Sequence, residues 1–143
     1  MLYQINEETQ RSLKQYVITI HEGRYEVHLM AVRCGVDWNV IITGGDRHHV
    51  GALALGVPAY IEGDRNRPTV SVSSLCVPGH KDDELARLAV CELVQHFSAA
   101  VSVSVGIHMD KASGEDISWF CKAALLCCRK LEEQVEMTDC GNE

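Results

Sequence analysis

The stretch "VSVSVGIH", Val101 to His108, alternates so strictly that a β-strand is the one element it fits. Val101, Val103, Val105 and Ile107 fall on one side of a pleated strand; Ser102, Ser104, Gly106 and His108 fall on the other. An aliphatic face of this kind has to be buried, and burial fixes its register. Helical periodicity flanks the strand on both sides. Upstream, in "PGHKDDELARLAVCELVQHFSAA", Leu85, Leu88, Ala89, Leu93 and Phe97 recur at helical spacing. Asp82, Asp83 and Glu84 crowd the first turn, where the helix dipole favours carboxylates. Downstream, Ile117, Phe120, Cys121, Ala124, Cys128, Leu131 and Val135 make the stripe of a second helix. Ser113 and Asp116 open it as a variant capping box. A helix–strand–helix end needs a sheet to dock on.

The preceding residues supply it. Five segments read as strands: "KQYVITIHE", "RYEVHLMAVRCG", "DWNVIIT", "VGALALGVPAY" and "TVSVSSLCV". Glu22-Gly23, Gly35 and a Gly44–His49 turn separate the first four. A polar loop, "IEGDRNRP", carrying Arg65 and Arg67, precedes the fifth. Links this short predict antiparallel neighbours, while the first helix permits a crossover to the last strand. The predicted order is βββββαβα. This is an α+β domain, a mainly antiparallel sheet of about six strands with two helices on one face. A chain of 143 residues suits one domain, residues 1–143, with residues 1–12 and 137–143 as loose ends.

Charge and cysteine usage narrow the function. A formal charge of −7 argues against a nucleic-acid or anionic-membrane partner, which needs a basic surface. No stretch reaches the roughly 18 apolar residues of a membrane span, and the N-terminal residues lack a signal-peptide core. The seven cysteines form no C-x-x-C pair, and Cys91, Cys121, Cys127 and Cys128 fall within the two helices. They read as reduced cytoplasmic thiols used as small apolar residues.

Three segments hold more polar residues than folding requires: the Gly44–Gly51 turn, the "PGHKDDE" start of the first helix, and His108–Asp110. Each lies at a strand end or a helix start, where ligands are usually held. In the second, Gly79 lets backbone approach a ligand, and Lys81 with the helix amides suits a phosphate. The plain alternative is a Pro78-Gly79 turn, Asp82 as N-cap and a solvated Lys81. The adjacent His48 and His49 point to opposite faces of an extended chain, so a single metal does not take both. A metal site would instead combine one of them with His80, His108 and Asp110. No familiar nucleophile motif occurs.

Taken together, "ITGGDRHHVGALALG", "VSVSSLCVPGHKDDELA" and "VGIHMDKAS" resemble the LpdD-like prenylated-flavin chaperones, over roughly Lys14 to Leu131. The Thr-Gly-Gly…His-x-Gly-Ala pattern and the Gly-His-Lys-Asp-Asp-Glu run carry the likeness. The resemblance implies a fold similar to proteasome assembly chaperones and a homodimer. It implies binding of reduced prenylated FMN and its delivery to a UbiD-like decarboxylase, without catalysis. Carried onto this chain, the ligand candidates are Gly44, Gly45, His49, Gly51, Gly79, His80, Lys81 and His108. His49 is favoured over His48 because it stands next to Val50-Gly51. Two other readings stay open: a cofactor-free assembly factor for a decarboxylase subunit, and a small metal-dependent enzyme.

Overall fold

The computed structural model describes residues 13–61, 64–79 and 82–140; the side chains of residues 64–67 are not described. The order is β1 (Gln15–Glu22), β2 (Tyr25–Cys34), β3 (Asp37–Gly45), β4 (Arg47–Ile61), β5 (Asp64–Cys76), α1 (Asp83–Phe97), β6 (Val101–His108) and α2 (Gly114–Cys140). This is the predicted α+β succession. The two-residue links after β1 and β2 each carry a glycine at positive φ, +58° at Gly23 and +68° at Gly35, as tight hairpins require.

The six strands form one sheet in the order β1-β2-β3-β6-β4-β5. One pairing departs from the sequence reading. The short link between β3 and β4 predicts that these strands pair, but β6 enters between them, parallel to β3 and antiparallel to β4. The reason is burial. Val101, Val103 and Val105 are fully buried, and the sheet centre alone gives them neighbours on both edges.

Both helices cover one face. Ile18, Leu29, Ile42, Val105 and Ala52 run across five strands as one buried row. Leu93 and Val94 of α1 and Cys127, Cys128 and Leu131 of α2 belong to the same core. Burial raises the Cys127 thiol to about 11 and the Cys128 thiol further, so both stay protonated. All seven cysteines are thiols, none of them in a disulfide. Among the described residues, no helix is long and apolar enough to cross a membrane.

Two boundaries differ from the sequence reading. Residues 137–140, expected loose, continue α2, because Asp139 takes hydrogen bonds from Lys14 at 3.0 Å and Arg33 at 2.9 Å. Arg65 and Arg67, expected in a polar loop, stand in β5, which pairs with β4 out to Asp64. The predicted loose segment 1–12 lies outside the described residues, as do residues 141–143.

Candidate functional site

The three polar segments meet at the C-terminal end of β6. The chain leaves β3 at Gly45, turns at Asp46, and starts back as β4 on the far side of β6. Gly45 and Arg47 both pair with His108, and the Asp46 amide donates to the His108 carbonyl at 2.7 Å. This wrap accounts for the paired glycines. Gly45 has a φ of +76°, and a Cβ there would stand 2.1 Å from the His108 carbonyl oxygen. A Cβ at Gly44 would stand 2.4 Å from the carbonyl oxygen of Glu26.

A bulge follows at once. Between the His48–Ile107 and Ala52–Val105 pairs, His49, Val50 and Gly51 stand opposite Gly106 alone. The bulge presses the His49 carbonyl onto Gly106, where a Cβ would meet that oxygen at 1.7 Å. It also gives the two histidines different partners. His48 Nδ1 shares a hydrogen bond with the Thr43 hydroxyl at 2.8 Å, and its ring lies 5.7 Å from that of His28. His49 Nε2 lies 3.2 Å from the Asp82 carboxylate, and its ring meets that of His108 edge-on at 6.1 Å. Gly51 leaves the room for this pair: a Cβ there would fall 1.8 Å from Asp82 Oδ2.

Asp82 is the residue the sequence reading placed wrongly in role. It occupies the N-cap position of α1, but its side chain makes no cap hydrogen bond. The buried carboxylate turns inward, to His49 on one oxygen and to the Ile107 amide, which donates at 3.4 Å, on the other. The His108 side is more open. Arg47 Nη2 lies 2.8 Å from His108 Nε2 and donates to Asp110 Oδ1 at 2.7 Å; the Asp110 amide donates to Asp46 at 3.0 Å. The His108 hydrogen bond, and then Arg47, hold the Asp110 carboxyl below its ordinary value.

A cleft of about 320 Å³ opens beside these groups, between the end of β6 and the starts of both helices. Leu85, Ile107, Met109, Ile117 and Phe120 give it an apolar wall; Asp82 and His108 are its polar corner, and Gly79 also lines it. The start of α2 is fixed there by its capping box: Ser113 N–H donates to Asp116 at 2.7 Å and Asp116 N–H to the Ser113 hydroxyl at 3.1 Å. The Tyr25 hydroxyl donates to the same carboxylate, and these bonds bring Asp116 down to about 2. Of the predicted ligand residues, Gly44, Gly45, His49, Gly51, Gly79 and His108 gather at this end of the sheet. His80 and Lys81 lie outside the described residues. Among the described residues, no three His, Cys, Asp or Glu side chains are placed to hold a metal ion.

The fold is shared with a solved chaperone structure, and the family is shown by a separate match. The chain matches a structure solved as a novel chaperone complex for yeast 20S proteasome assembly, with a TM-score of 0.55 and 12% identity over 87% of this chain and 96% of that one. At such identity the likeness shows the fold, that of a proteasome assembly chaperone. No curated protein matches the chain. Residues 21–136 match the prenylated flavin chaperone LpdD-like domain, and the chain belongs to that family.

Proposed function

We propose that this protein binds reduced prenylated FMN in the cleft at the end of β6 and hands it to an apo UbiD-like aromatic-acid decarboxylase, doing no chemistry itself. The observation that carries this reading is the cleft: an apolar wall with one polar corner, in a chain of a prenylated flavin chaperone family. A flavin ring is planar, mostly apolar, and polar along one edge, so it suits such a lining. His49 and His108 act at the polar corner. Gly44, Gly45 and Gly51 act through the turn and the bulge that bring the corner together. The phosphate goes to the Gly79-His80-Lys81 segment. There Lys81 has to supply the attraction, because Asp83 and Glu84 already stand in the first turn at the positive end of the α1 dipole.

The protein works in the cytoplasm, where its seven thiols stay reduced, and it works as a homodimer. The support for the dimer is the sheet face away from the helices. Val17, Met30, Ile41, Ser104, Leu53 and Leu75 are cross-strand neighbours across all six strands, and the five apolar ones are exposed. An apolar band of that length is a contact surface. The test is anaerobic. Reduced prenylated FMN mixed with the protein should co-elute with it on gel filtration, and the loaded protein should restore decarboxylation to an apo-decarboxylase. A protein that activates the decarboxylase with no chromophore bound is a cofactor-free assembly factor instead.

A further inference from the structure

Asp82 carries an inference that rests on the flavin reading and goes one step past it. Asp82 is 9% exposed and, with His108, forms the polar corner of a cleft whose remaining wall is mainly apolar. Burying a charge there is costly unless donors meet it. The described contacts are the Ile107 amide, which donates at a long 3.4 Å, and His49 Nε2, which lies 3.2 Å from the carboxylate. The amide can only donate, so Oδ1 is an acceptor. An ionised carboxylate offers about four lone-pair sites, and these two contacts leave acceptor capacity unused. Asp82 lines the cleft itself, so that capacity is open to a ligand. The position is built as well as occupied: Gly51 has no Cβ where Asp82 Oδ2 sits, and the bulge opposite Gly106 brings His49 to it.

We propose that Asp82, held by His49, reads an N–H edge of the bound ring and thereby makes the cleft selective for a reduced flavin over an oxidised one. Two-electron reduction with proton uptake turns a bare ring nitrogen, an acceptor, into an N–H donor. A carboxylate accepts from the donor and repels the acceptor's lone pair. The same residue therefore adds a favourable contact for one form and an unfavourable one for the other, which is how specificity for a small chemical difference arises. The neutral amide of asparagine accepts and donates, so it suits either form.

FMN itself is the probe, reduced under anaerobic conditions and oxidised in air, titrated against the whole chain and followed by flavin fluorescence and absorbance. Reduced FMN should bind the parent about tenfold to a hundredfold more tightly than oxidised FMN, the range expected for one charged hydrogen bond. In Asp82→Asn the ratio should fall towards one, with the melting temperature checked to show the fold is kept. A parent that binds both forms equally overturns the inference but leaves flavin binding standing, and so does an Asp82→Asn protein that keeps the parent's ratio. The parent's ratio decides the matter even if the variant is unstable. If the parent binds FMN and prenylated FMN in neither redox state, the inference and the proposed function fall together.

Discussion

The two faces of the sheet are built from alternate residues of the same strands, yet they are different kinds of surface. On the helix side, Leu29, Ile42 and Val105 are fully buried. On the other side, their immediate neighbours Met30 and Ile41 are 44% and 47% exposed, and Val17 and Leu75 at the two edges are 66% and 73% exposed. The flanking row, Gln15, Val32, Asn39, Ser102, Leu55 and Ser73, contains no charge at all. An open antiparallel face that meets only water alternates to polar residues. Here the central row stays apolar and exposed beside a mostly polar flanking row, and that apolar row is what the proposed dimer contact rests on. The cleft lies at the end of the sheet, made from the end of β6 and the two helix starts.

The comparison breaks most visibly in the core. Leu29→Ala should cost about 2–5 kcal/mol of stability, read from urea denaturation, because a fully buried side chain leaves a cavity. On β3, one position from Leu29's partner Ile42, Ile41→Lys should leave the circular dichroism unchanged and instead halve the mass seen by light scattering at micromolar concentration. A parent that already scatters as a monomer would remove the meaning given to the open face. Lys81→Ala tests the proposed phosphate contact instead. It should weaken reduced prenylated FMN binding by about tenfold to a hundredfold while dimer and melting temperature hold.

The smallest effect sharpens the helix-covered side. Asp116 sits at about 2, below its ordinary value, because Tyr25 and Ser113 donate to its charged form. A depressed carboxyl pKa contributes stability above the unfolded value near 4, and that contribution is lost as pH falls through 2. Acid titration of the melting temperature should therefore show a decline between about pH 4 and pH 2 that Tyr25→Phe makes shallower.

Most of the fold could be read from period alone, since β6 and both helices announce themselves through aliphatic alternation and apolar stripes. The insertion of β6 between β3 and β4 could not. The short Gly44–His49 turn looks like a hairpin, and nothing local says that β6, which begins only at Val101, will fill the gap. The paired Gly44-Gly45 was the trace of it, because a hairpin does not need two glycines pressed against other backbone. The bulge left the same kind of trace in Gly51 and Gly106, glycines inside strong strands, which mark close approach. Asp82 was hidden for a different reason. A carboxylate ahead of a helix is accounted for as a cap, and only the cleft beside it and His49 on another strand give it a second use.

The central claim is that the cargo occupies the cleft at the end of β6 and not the open face. Ala112 lines that cleft and is exposed, so Ala112→Trp fills it without disturbing the core. The direct measurement is anaerobic titration of reduced prenylated FMN into the parent, Ala112→Trp and Ile41→Lys, read as chromophore retained after gel filtration. Retention is expected in the parent and in Ile41→Lys, and loss in Ala112→Trp at an unchanged melting temperature. Retention by Ala112→Trp, with loss in Ile41→Lys, would contradict it and move the cargo to the open face.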